Sequence, residues 1–77
     1  MKFYYTYGSN SPTQAYKGGW TEVEAYDREE ADRKFLRIHP SVDGFLPCAG
    51  VYYEDEFKAN PMYTKGNFGK FCIEMIG

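Results

Sequence analysis

Two short segments combine lysine, glycine and an aromatic ring: Tyr16-Lys17-Gly18-Gly19-Trp20 and Lys65-Gly66-Asn67-Phe68-Gly69-Lys70. Glycine lets a backbone approach a ligand closely, and successive backbone N–H groups can form an anion-binding nest. The lysines add charge, Asn67 adds directional hydrogen bonds, and the rings offer flat faces on which a base can stack. Were both loops to meet at one end of a sheet, Lys17, Lys65 and Lys70 would face the anionic part of a small nucleotide-type ligand. Tyr16, Trp20, Phe68 and the first-strand residues Tyr5 and Tyr7 would then stack on its flat part, with Asn67 reading an edge. The second loop is not a phosphate-binding Walker loop, because the spacing and the following helix are absent. The same residues also suit a plain turn with Phe68 plugging the core, and that alternative stays open at this level.

Catalytic chemistry finds little to work with. Glu22 with Glu24, and Glu54-Asp55-Glu56, are carboxylate pairs without a visible means of raising one pKa above its neighbour. Cys48 or Cys72 with His39 supplies two members of a nucleophilic dyad but no orienting third group. The same three residues lack zinc-type spacing, so the thiols read as reduced and partly buried. The expectation is a non-enzymatic protein with no cofactor and no metal. Arg28, Arg33, Lys34 and Arg37 interleave with Glu29, Glu30 and Asp32, the composition of a solvated helix face, with a phosphate clamp as the lesser alternative.

The bulk properties narrow the partners. Nine basic and eleven acidic residues give a net charge of −2, and the bases are dispersed, which speaks against a long nucleic acid. The first residues enter a strand-like pattern without a signal-peptide core, and no stretch approaches the ~20 apolar residues of a spanning helix, so a cytoplasmic protein with no membrane partner is expected. Seventy-seven residues make a single domain, 1–77. A chain this short buries only about 60–65% of the surface exposed on unfolding, and a homo-oligomer, first of all a dimer, would stabilise it. Eight tyrosines, six phenylalanines and one tryptophan supply more aromatic surface than one helix can cover.

The elements that must position these residues follow from periodicity. Residues 2–7 alternate aromatic side chains on both faces, as a central strand does. Ser9-Asn10-Ser11-Pro12 is a turn cluster within a connection over 8–19. Residues 20–26 alternate Val23 and Ala25 with Glu22 and Glu24, one dry face and one wet. Asp27 and Glu30 form a capping signal for a helix whose Ala31, Phe35 and Ile38 make the buried stripe and which Pro40 ends. Asp43-Gly44 marks a turn, residues 49–54 a third strand, Glu54 to Lys58 a helical turn pinned by Phe57, and residues 62–69 a glycine-containing loop. In the last strand, residues 70–76, Phe71, Ile73 and Met75 face one way and Cys72, Glu74 and Ile76 the other. The expected fold is α+β, in the order β-β-α-β-β, with one helix packed on a four-stranded, mainly antiparallel sheet. Its second face, carrying Tyr4, Trp20, Glu22, Glu24, Tyr52 and Glu74, is expected to meet either solvent or a second subunit.

The Gly18-Gly19-Trp20 and Gly66-Asn67-Phe68-Gly69 segments, together with Leu46-Pro47-Cys48-Ala49 and Tyr53-Glu54-Asp55-Glu56-Phe57-Lys58, carry a resemblance over nearly the whole chain. It resembles a group of small uncharacterised proteins encoded by phages, prophages and mobile elements of gut Firmicutes. The resemblance carries no site residues. It implies an accessory protein of counter-defence that acts by binding, either sequestering a nucleotide-derived immune signal in an oligomer or blocking a host defence protein in the manner of an anti-CRISPR.

Overall fold

The computed structural model describes residues 1–8 and 16–77. Among the described residues, four strands and three helices follow in the order β1 (Lys2–Thr6), β2 (Trp20–Glu24), α1 (Arg28–Ile38), β3 (Gly50–Tyr53), α2 (Glu54–Lys58), α3 (Pro61–Lys65) and β4 (Cys72–Ile76). The strands form one sheet in the order β3-β1-β2-β4. β1 pairs antiparallel with β2 and β3, so its doubly aromatic pattern does mark a central strand. β4 pairs parallel with β2, which makes the sheet mixed. The α+β class and the four strands agree with the sequence reading, while the order gains two short helices. The Ser9-Asn10-Ser11-Pro12 turn cluster lies outside the described residues.

Local chemistry explains the helices. Asp27 accepts a hydrogen bond from the Glu30 backbone N–H at 2.8 Å, and the Glu30 carboxylate accepts from the Tyr26 N–H at 2.7 Å. Glu29–Arg33 and Glu30–Lys34 form the expected i,i+4 pairs at 3.0 and 3.7 Å. The α1 stripe is narrower than periodicity suggests: Ala31 and Phe35 are buried, but Ile38 is 52% exposed. Ile38 is the last helical residue, and His39 takes the inward position beside Phe35 instead. The Asn60-Pro61 pair, expected only to end a helical turn, also starts α3. Asn60 caps it by accepting from the Met62 N–H at 2.9 Å, and Pro61 occupies the first turn, where its missing N–H costs nothing.

Each sheet face has its own core, built on the same device. On one face, Tyr5 stacks on Phe35 of α1 with centroids 4.2 Å apart, among Phe3, Tyr7, Val23 and Ala31. On the other, Tyr4 stacks on Phe57 of α2 at 4.6 Å, with Trp20 edge-on to the same ring at 4.8 Å and Met62 of α3 closing the cluster. The second face is therefore neither solvent-facing nor a subunit contact at its centre: α2 and α3 cover it. A bulge at the Trp20/Thr21 step shifts the β4 register so that Glu74 stands opposite Thr21, on the α1 side and away from Trp20. No helix among the described residues is long and apolar enough to cross a membrane.

Candidate functional site

Residues 67–70 close a two-residue hairpin. The Asn67 N–H donates to the Lys70 carbonyl at 2.7 Å, and the Lys70 N–H returns to the Asn67 carbonyl at 3.1 Å. Both central residues have positive φ, 52° at Phe68 and 77° at Gly69, as a type I′ turn requires. Glycine adopts this backbone freely; a bulky aromatic residue does so only against a steric cost. Nevertheless the Phe68 ring is 67% exposed, so no core packing offsets that cost. It is neither a core plug nor a relaxed turn residue.

The turn is held rigidly from below. Asn67 is buried, and its side-chain amide donates to the carbonyls of Tyr7 and Gly19, each at 2.9 Å. Its own carbonyl also accepts from the Gly19 N–H at 2.9 Å. The Gly18-Gly19 loop lies directly against this hairpin. A Cβ on Gly18 would sit 2.7 Å from the Asn67 carbonyl oxygen and 3.0 Å from the Phe68 Cβ, and one on Gly19 would sit 2.7 Å from the Phe71 oxygen. The two glycine loops thus converge at one end of the sheet, β1 ending and β2 starting between them. Lys17, Lys65 and Lys70 are exposed around the junction, as is Phe71 at 50%.

The remaining residues singled out by sequence have other placements. Tyr5 and Tyr7 are fully buried and Trp20 nearly so, which leaves their rings no face to offer a ligand. The Tyr5 hydroxyl donates to Asp32 at 2.8 Å, and Arg28 Nε donates to the same carboxylate oxygen at 2.9 Å. Burial, followed by the Asp32 hydrogen bond and charge, drives the Tyr5 phenol far above its ordinary pKa. Tyr16 is partly exposed and stands edge-on to Tyr7 and His39. Asn67 uses its side-chain donors inside the protein and so serves as the anchor of the loop.

Sequence reasoning passed over a polar chain beside this junction. Thr21 Oγ1 donates to Glu74 Oε1 at 2.9 Å, so the Tyr7 hydroxyl, 2.6 Å from Thr21 Oγ1, must be the donor to it. His39 Nε2 lies 2.6 Å from the same Glu74 oxygen, and donates to it if the carboxylate is ionised. The chain ties β1, β2, β4 and the end of α1 together. Burial raises the Tyr7 phenol well above its usual pKa, with a smaller push from the Glu74 charge. The only sequence signal for this chain was the isolated His39 before Pro40. A cleft of about 620 Å³ elsewhere is lined in part by Phe3, Tyr53, Arg28, Asp27 and Glu56. The last three already hold structure there, through Asp32, the α1 cap and the Tyr53 N–H.

No protein-family model matches the chain, nor does any curated protein or solved structure.

Proposed function

We propose that this chain is a non-enzymatic binding protein that engages a protein partner through the Phe68 hairpin and the exposed lysines and Phe71 around it. The observation that carries the reading is Phe68 itself: a bulky ring held at φ 52°, rigidly mounted and exposed. Strain of this kind is retained where the surrounding structure enforces it, and it concentrates at binding and active sites. A rigid aromatic knob with a cationic rim is the composition of an interface hot spot, where one ring fills a pocket and charges set orientation. In the phage-type context that the sequence resembles, the partner is a host defence effector, and the activity is its inhibition.

The test is capture from host lysate with the immobilised protein, compared with Phe68→Ala and with Lys65→Ala/Lys70→Ala. A stoichiometric partner retained by the parent and lost with Phe68→Ala, at unchanged circular dichroism and Tm, supports the reading. Equal retention by Phe68→Ala refutes it.

The second reading, a sequestered nucleotide-derived signal, is favoured by one observation: Lys17, Lys65 and Lys70 are all exposed around the loop junction that carries Phe68, an exposed ring on a strained backbone. Cyclic dinucleotides, cyclic oligonucleotides and ADP-ribose derivatives are the ligands to screen. A ligand at 100 times its Kd adds about 2.7 kcal/mol of stability, a plain thermal shift. The burial of Tyr5, Tyr7 and Trp20 leaves this reading fewer stacking faces than the sequence promised, which is why the protein partner is preferred.

A further inference from the structure

We infer that β4 pairs with β4 of a second copy, making an antiparallel, twofold-symmetric dimer with a continuous eight-stranded sheet. β4 is the outer strand of the sheet on its side, so one row of its backbone groups faces away from β2. Edge strands are ordinarily blunted by lysine, proline, short length or outward charge. Between Cys72 and Ile76 there is neither proline nor lysine, and the strand is five residues long. Its one charge, Glu74, is engaged on Thr21 and His39 through Oε1. Apart from the Cys72 thiol, exposed here where the sequence suggested a partly buried one, what the strand and the residue before it expose is apolar: Phe71 at 50%, Ile73 at 40% and Met75 at 70%.

The pattern is self-complementary. In the antiparallel register that overlays all five residues, Glu74 lies on the twofold axis, Ile73 stands opposite Met75 of the second copy, and Met75 opposite its Ile73. The Ile73–Met75 pair thus occurs twice, once on each side of the axis, and each Glu74 carboxylate at the axis is already hydrogen-bonded within its own copy, to Thr21 and His39. The opposite edge of the sheet is less suited, because β3 is four residues long and begins at Gly50. Taking roughly 150–200 Å² for a side chain of this size, the three exposed residues contribute about 250–300 Å² per copy, against the ~800 Å² per partner of a standard interface. The strand backbones and flanking residues enlarge this, but the total falls at the small end, so association in the micromolar range is expected. The Phe68 hairpins lie outside the overlaid strands, one toward each end, so the dimer would present its partner-binding knob twice.

The experiment is sedimentation equilibrium of the full chain from about 1 to 300 µM, spanning the range that a small interface implies. The expected result is a monomer–dimer equilibrium that Met75→Lys and Ile73→Lys shift to monomer by at least ten-fold in Kd, while Phe68→Ala leaves it unchanged. Should a lysine variant prove unfolded by circular dichroism, hydrogen exchange on the parent decides. The outward-facing amides of β4 must become protected as concentration rises through the dimer midpoint. A parent that stays monomeric at the top concentration, a dimer indifferent to both lysine substitutions, or β4 amides whose exchange ignores concentration would each overturn the proposal.

Discussion

The molecule contains two hairpins of the same construction and opposite character. Val42-Asp43-Gly44-Phe45 and Asn67-Phe68-Gly69-Lys70 both pair their outer residues and both carry positive φ at the two central positions. In each, the glycine is open, with nothing within 4 Å of the Cβ it lacks. In the first, the strained position holds Asp43, whose short polar side chain tolerates the left-handed region. In the second, it holds phenylalanine. The first hairpin hangs on a connector, whereas Asn67 roots the second in the end of the sheet through three hydrogen bonds. The fold can evidently make this turn from favourable residues. Phenylalanine at Phe68 is thus not a requirement of the geometry, and the proposed partner-binding role would account for its presence.

Glycine substitution separates the two hairpins most sharply. Gly18→Ala meets both a left-handed backbone, φ 73°, and a clash with the Asn67 carbonyl at 2.7 Å. The backbone conformation costs roughly 1–2 kcal/mol and the overpacking a further ~1–3, so about 3 kcal/mol in all is expected. For a domain of this size that approaches half of the total stability. Gly44→Ala has the same backbone problem at φ 82° and no clash, and should cost about 1–2 kcal/mol. Urea denaturation of both variants measures the difference. Equal losses would mean that the Gly18-Gly19 loop does not abut the Asn67 hairpin as described.

Removing the root comes next. Asn67→Ala deletes the donors to the Tyr7 and Gly19 carbonyls inside a buried site, where an unsatisfied group costs about 1–3 kcal/mol. A loss of about 2–3 kcal/mol is expected, which lowers Tm by roughly 10–20 °C in a domain this small. Val42→Ala at the corresponding position of the other hairpin, half-buried and with no side-chain hydrogen bond to lose, should cost less, about 1 kcal/mol or below. A mild Asn67→Ala in calorimetry would make the second hairpin as loosely attached as the first.

Much of this frame was legible from residue order. The alternation in β1 and the Asp27/Glu30 cap follow from short-range rules, and Phe35→Ala is still expected to cost about 3–5 kcal/mol because that ring is fully buried. What escaped was decided by long-range packing. Nothing near Trp20 in the sequence says that Phe57 and Met62, some forty residues on, will cover it, so its parity with Glu22 and Glu24 suggested a wet face. The parallel pairing of β4 and the bulge that sends Glu74 toward His39 are likewise set by a partner strand remote in sequence. Tyr5, Tyr7 and Trp20 looked like ligand-stacking rings because an aromatic residue carries the same signal in a core as at a surface. The sequence suggests Asn67 as a ligand-reading residue, but its side-chain donors point inward to the Tyr7 and Gly19 carbonyls, which depends on where β1 ends.

The finest test of the comparison exchanges the residue at the strained position. Phe68→Asn gives the second hairpin an Asn-Gly centre, the sequence that type I′ turns favour most. If the ring contributes nothing to the fold, relief of its backbone strain should stabilise the protein by about 1 kcal/mol, raising Tm by roughly 4–8 °C. The same substitution removes the proposed knob, so stability and partner binding should move in opposite directions, as they do when a strained residue is kept for function. Asp43→Asn, the matching change in the first hairpin, exchanges one tolerant residue for another and should alter neither by a measurable amount. Differential scanning calorimetry reads the stability and the lysate capture described above reads the binding. Were Phe68→Asn to destabilise the fold, the ring would be packing against something and its exposure would lose its meaning. Were it to stabilise the fold and still capture the partner, the hairpin would be strained for no reason connected with binding, and the site would have to be sought elsewhere on the surface.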